Sequence, residues 1–165
     1  ARELLATFGI QAPEKLMRWM ALGEDGAVVP LRRDRLLVVS PTRSDETNEI
    51  FQKITGRSEN TLVLQHEAAD FALGGSATDS LVGELCSMDI SCLADDVWIA
   101  TRLANCEVML RRLTKGCVNY RLMCSPADAG FLFNVLIDVT KECGGSVVGF
   151  NDYLGMLKGE PDDTD

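Results

Sequence analysis

Val118-Asn-Tyr-Arg-Leu-Met-Cys124, then Ser125-Pro126, then the run Ala127 to Glu142: this succession decides the fold. The first seven residues are rich in β-formers and read as a strand. Ser-Pro stops it, because the residue before proline is pushed into extended backbone while proline itself fits a first helical turn. Phe131, Leu132, Val135, Leu136 and Val139 then recur at helical spacing, so one broad apolar stripe faces a core. Gly144-Gly145 ends the helix, and Val147-Val-Gly-Phe150 reads as one more strand. Working backwards, Val97-Trp-Ile-Ala-Thr101 and Cys106-Glu-Val-Met-Leu-Arg111 are strands, with turn residues at Asn105 and Lys115-Gly116. Phe71-Ala-Leu73 is a short strand that breaks at Gly74-Gly75 into a helix from Ser76 or Thr78 through Leu85.

The first half carries a parallel set of signals. Arg2 to Phe8 has helical apolar spacing at Leu4, Leu5 and Phe8, and Pro13 opens a short segment through Leu16, Met17 and Met20. Gly26-Ala-Val-Val-Pro-Leu31 and Arg35-Leu-Leu-Val-Val39 read as two strands of a hairpin across Arg32-Arg33-Asp34. Pro30 lacks an N–H, which makes the first an edge or bulged strand. A helix over Ser44 to Ile54 is signalled by Ser44 as N-cap, acids in the first turn and an Ile50/Phe51/Ile54 face. Thr61-Leu-Val-Leu-Gln65 closes the half as a strand.

Superposed, the halves suggest an internal repeat offset by about 86 residues. Leu31-Arg-Arg matches Leu110-Arg-Arg, Arg35-Leu-Leu-Val-Val-Ser-Pro matches Arg121-Leu-Met-Cys-Ser-Pro, and Thr61-Leu-Val-Leu matches Val147-Val-Gly-Phe. Two unrelated strand-to-helix units sharing turn chemistry stay open as the alternative. If the repeat holds, the first half lacks the strand that Phe71 to Leu73 brings to the second, so the chain would begin inside its natural fold and a partner polypeptide would cover the exposed edge. The expected class is α+β: two pseudo-repeated half-domains of antiparallel strands with covering helices. They form one domain over 1–159, with half-repeats about 1–68 and 69–159, followed by an acidic tail at 160–165.

At 165 residues, 46% apolar and 25% charged, the chain is ordinary for a folded globular protein. A net charge of −9 opposes attraction to nucleic acid and to anionic lipid, so neither is expected as a partner. No run is long and apolar enough to span a membrane and no signal-peptide pattern opens the chain, so a cytoplasmic protein is expected. The six cysteines, Cys86, Cys92, Cys106, Cys117, Cys124 and Cys143, form no CxxC pair and read as buried free thiols. A single histidine, His66, leaves metal ligation without a spaced second imidazole.

Individual motifs support little chemistry. Gly74-Gly75-Ser76-Ala77 opens a helix without a following lysine and reads as a tight turn rather than an anion cradle. Asp95-Asp96 reads as a solvated turn, and Ser40 and Ser125 have no neighbouring base to activate them. No catalytic and no metal-binding residue is expected. Arg32 and Arg33, doubled by Arg111 and Arg112 in the repeat, form a basic cluster that either makes salt bridges or grips an acidic partner. Trp19 and Trp98 occupy comparable places in the halves; packing is their ordinary role, and anchoring a partner is the role of whichever is exposed.

Phe71-Ala-Leu-Gly-Gly-Ser-Ala, Met88-Asp-Ile-Ser, Leu110-Arg-Arg-Leu-Thr-Lys-Gly and Asn119-Tyr-Arg-Leu-Met together resemble the folate-binding domain of the glycine-cleavage aminomethyltransferase family, as a pattern over residues 24 to 154. The resemblance implies that family's domain, and it also shows two departures. Where catalytic members carry an aspartate at the end of a Gly-rich strand, this chain has Pro30 and Leu31; where they carry a pterin-binding glutamate after an aromatic residue, it has Arg121 after Tyr120. An arginine donates where an acceptor is needed. A small member without those carboxylates resembles the gamma subunits of heterotetrameric sarcosine oxidases. That implies a non-catalytic subunit of an oxidoreductase or demethylase complex acting on N-methylated or one-carbon substrates. Such a subunit has larger protein partners, a flavoprotein among them, and binds no cofactor itself, tetrahydrofolate and flavin belonging to partner subunits. The alternative is a divergent tetrahydrofolate-dependent methyl or aminomethyl transferase.

Overall fold

The computed structural model describes residues 5–6, 9, 11–22, 26–39, 52, 62, 64, 66–90, 92–94, 97–113, 118–149, 151–153 and 155. The chain forms two compact units, Ala1–His66 and Glu67–Asp165, and the class is α+β with two antiparallel sheets.

In the first unit, β1 (Met20–Leu22), β2 (Gly26–Pro30) and β3 (Leu36–Val39) form a meander in that order. Gly26 is required where β1 turns into β2, because a Cβ there would lie 2.3 Å from the Leu22 carbonyl oxygen. The Ala-Val-Val run of β2 is buried at every position, so its two faces are both covered and its hydrophobicity does not alternate. Leu5, one of the described helical residues of the N-terminal segment, packs with Val28, Ala12, Leu22, Leu36 and Val38.

The hairpin across Arg32-Arg33-Asp34 forms as the sequence predicts, closed by the Leu31 N–H donating to the Arg35 carbonyl at 2.9 Å. The edge or bulge expected at Pro30 does not: β2 is the central strand. Pro30 pairs with Leu36 in the register that points its own backbone nitrogen away from β3. The missing N–H therefore costs no rung of the β2–β3 ladder, and the Pro30 carbonyl on that side accepts from Met17 N–H at 2.8 Å. The helix expected over Ser44 to Ile54 lies outside the described residues apart from Gln52, which is helical. Of the strand expected at Thr61 to Gln65, Leu62 and Leu64 are described, and both lie outside any strand and exposed.

The second unit has β4 (Ala69–Gly74), α1 (Thr78–Leu85), β5 (Trp98–Leu103), β6 (Cys106–Arg112), β7 (Val118–Cys124) and α2 (Pro126–Glu142). Its sheet runs β4-β7-β6-β5, antiparallel throughout. Leu81 and Val82 of α1 and Leu132 and Leu136 of α2 pack with Leu103, Val108, Leu110, Tyr120, Leu122 and Cys124 to form the core. Ser125 caps α2, its Oγ accepting from the Ala127 N–H at 3.3 Å with Pro126 in the first turn. The β5–β6 hairpin turns on two left-handed residues, Ala104 and Asn105, the geometry that matches strand twist.

The strand expected at Val147 to Phe150 is absent over its described residues, 147–149, which are exposed and outside any strand. The segment is capped at both ends. Gly144 and Gly145 N–H still donate to the Lys141 and Thr140 carbonyls at 2.9 and 2.8 Å, and Gly149 N–H is taken by the Asp152 carboxylate at 2.9 Å. The acidic tail, 160–165, lies outside the described residues, and no described helix is long and apolar enough to cross a membrane.

Candidate functional site

Cross-strand register assembles the most unusual chemistry of the second unit. Trp98 of β5 stands opposite Arg111 of β6, Arg111 opposite Arg121 of β7, and Arg121 opposite Ala72 of β4, so these residues form one row on one sheet face. Two guanidiniums thus face each other directly. Arg121 is 6% exposed and is held by Asp70, one diagonal step away on β4. Its Nε donates to both carboxylate oxygens at 3.0 and 2.8 Å, and its Nη2 donates to Oδ2 as well. The fork geometry is the one arginine offers a carboxylate. Burial, with Arg121 beside it, lowers the Arg111 guanidinium to about 10. Trp98 is fully buried and its indole N–H meets no acceptor among the described residues.

On the other face, Tyr120 donates its hydroxyl to Asp79 Oδ1 at 2.7 Å, and Arg112 lies 3.9 Å from Asp79 Oδ2. Burial first, and then Asp79 as acceptor and charge, push the Tyr120 phenol up to about 12. A tyrosine so placed keeps its proton at neutral pH, with its hydroxyl committed to Asp79. The strand-to-helix turn is equally committed. Gly75 sits at φ +104° and donates its N–H to Asn119 Oδ1 at 3.0 Å, while Thr78 Oγ1 donates to the Gly75 carbonyl at 2.7 Å. A shallow cleft of about 290 Å³ beside α1, lined by Cys86, Ser87, Met88 and Asp89 among others, adjoins neither charge cluster except through Asp79. Among the described residues no group of three or more His, Cys, Asp or Glu could hold a metal ion.

The predicted partner contacts are dispersed. Arg32 and Arg33 lie exposed in the β2–β3 turn, Trp19 is half-buried just before β1, and Trp98 is enclosed in the second unit's sheet, leaving no indole surface for a partner in this state. The doubling expected from the repeat is not a doubling of environment, since Arg111 and Arg112 lie inside a strand. Of the cysteines, Cys86, Cys106 and Cys124 are buried free thiols as expected, but Cys92 and Cys143 are exposed, one in a turn and one at the C-cap of α2; Cys117 lies outside the described residues. Burial, with Asp128 nearby, raises both the Cys106 and Cys124 thiols. Sequence reasoning missed Asp70 and Asp79. Each is an isolated acid 51 or 41 residues from the cation or phenol it meets, and only the register brings them together.

No family model and no curated protein matches the chain. Among solved structures, a chain of the heterotetrameric sarcosine oxidase from Corynebacterium sp. U-96, in complex with pyrrole 2-carboxylate, is similar in fold. The TM-score is 0.71 at 21% identity, covering 88% of this chain and 75% of that one, so the matched chain is only modestly longer. The likeness agrees, at the level of fold, with the expected resemblance to a heterotetrameric sarcosine oxidase subunit.

Proposed function

We propose that this chain is a non-catalytic subunit of a heteromeric oxidoreductase or demethylase that acts on N-methylated or one-carbon substrates, in the manner of a sarcosine oxidase gamma subunit. The observation that carries the reading is the fold likeness to a comparably small chain of a heterotetrameric oxidase. The site chemistry supports it. Arg121, where the resembling family places a pterin acceptor, is buried and consumed by Asp70, and Pro30 is the buried last residue of β2 where that family places an aspartate. Neither position offers a carboxylate to a folate or an amine.

In this reading the two antiparallel sheets are diverged halves of one aminomethyltransferase-like domain over 1–159. Each contains a three-strand meander preceded by or opening on a tryptophan, Trp19 before β1 and Trp98 in β5. Tetrahydrofolate and flavin reside in larger partner subunits, and the exposed Arg32 and Arg33 contact an acidic surface there, within the cytoplasm. Co-expression with a flavin-dependent amine oxidase, followed by size-exclusion chromatography, tests the reading: a complex of fixed stoichiometry with the flavin on the large subunit is expected. Tetrahydrofolate bound by the isolated chain with micromolar affinity would instead support the folate-transferase alternative, and a chain that elutes alone in every such pairing would overturn the subunit reading.

A further inference from the structure

The outer edge of β4 and the exposed segment after α2 are two unsatisfied features of one unit. β4 ends the sheet order and pairs only with β7, so one side of Ala69–Gly74 has no strand beside it among the described residues. Such an edge presents a row of unpaired backbone groups. Val147 and Val148, β-branched and 59% and 45% exposed, follow α2 after a two-glycine turn in which Gly144 takes φ +78°. Exposed β-branched side chains in succession favour extended backbone.

Topology points the one feature at the other. α2 leaves β7 and crosses over the sheet, with Leu132 and Leu136 in the core. Its Phe133 ring stacks on Phe71 of β4, centroids 6.0 Å apart and planes 20° from parallel. The helix therefore leans over the edge strand. Because α2 leans towards β4, it carries the chain leaving β7 to that side of the sheet, where no strand lies beyond β4 among the described residues. There it would run antiparallel to β4, as every neighbouring pair in this sheet does.

We propose that Ser146–Val148 is a strap that closes onto the outer edge of β4 as a short fifth strand, and that the structure described here is its open state. Three residues suffice for a strand in this chain, since β1 is no longer. The caps at its two ends set the segment's limits, because Gly145 is bonded to α2 and Gly149 to Asp152. In the closed state one valine covers the 41%-exposed Phe133 on the helix side and the other lies on the opposite face, since side chains alternate. The tether favours this occupant over any competing strand, because docking within one chain proceeds at high effective concentration. The inference is independent of the proposed assembly, requiring only the second unit.

Amide exchange followed by NMR on the full chain, at several protein concentrations, tests it. Closure predicts that Val147, Val148 and those β4 amides that point away from β7 exchange together, about tenfold or more slower than unstructured amides. Val147→Asp with Val148→Asp, both at exposed positions, should release the β4 amides in parallel while far-UV circular dichroism is unchanged. Unstructured exchange at 146–148 in the wild type overturns the strap. So does protection of the β4 edge that survives the double substitution. If that surviving protection grows with protein concentration, a second copy occupies the edge instead.

Discussion

Removing Asp70 should harm this protein more than removing the arginine it neutralises. Asp70→Ala leaves Arg121, whose side chain is 8% exposed, facing Arg111 across the β6–β7 ladder without the Asp70 carboxylate. Breaking a buried pair from one side costs about 3–5 kcal/mol, but the Asp70 side chain is 38% exposed and water reaches the site, so about 2–3 kcal/mol is the expected loss. For a chain of this size that is a fall of roughly 5–10 °C in Tm. Arg121→Met instead deletes one of two opposed cations, fills the space with an apolar side chain and strands only a carboxylate that solvent can hydrate. Its cost should stay below about 1 kcal/mol. The double variant should resemble Arg121→Met alone, the signature of coupling between the two sites. Urea unfolding of the four proteins, followed by tryptophan fluorescence and circular dichroism, measures each term. If Arg121→Met costs as much as Asp70→Ala, the account of Asp70 as the group that offsets two opposed guanidiniums is wrong.

Tyr120 gives a pH prediction. Its folded-state pKa of about 12 lies above the ordinary 10, so the folded protein holds a proton that the unfolded chain releases. The contribution is present below pH 10 and is lost between pH 10 and 12; the stability difference between wild type and Tyr120→Phe should shrink by about 2–3 kcal/mol across that window. A constant difference would show that the phenol is not held protonated. Cys92 and Cys143 should alkylate with iodoacetamide at pH 8 well before Cys86, Cys106 and Cys124, as peptide mapping reads; equal rates would contradict the burial assignments. Ala104 adopts φ +46° in the β5–β6 turn, so Ala104→Gly should raise stability by about 0.5–1 kcal/mol; a loss would mean the turn is not left-handed there. In any isolated complex, Arg32→Glu with Arg33→Glu should weaken assembly more than Asp162→Lys with Asp163→Lys, and the reverse order would remove the β2–β3 turn from the interface.

The local elements of the second unit were legible because their signals are short-range. Period-two and period-3.6 patterning, Ser125-Pro126 and the paired glycines act within a few residues, and β4 to β7 and both helices appear near their expected places. The sequence also showed that Arg121 donates where the resembling family accepts, since that is a property of the residue alone. What those patterns cannot carry is partnership. Whether Val147 and Val148 enter a ladder depends on the sheet edge they meet, and whether Pro30 disrupts β2 depends on which side of the ladder its nitrogen faces. Strand register likewise sets Arg111 against Arg121 and brings Asp70 to neutralise one of them, from 51 residues away. Propensity is summed along the chain, whereas an ion pair or a ladder rung is decided across it, by the geometry of residues that only the folded sheet makes neighbours.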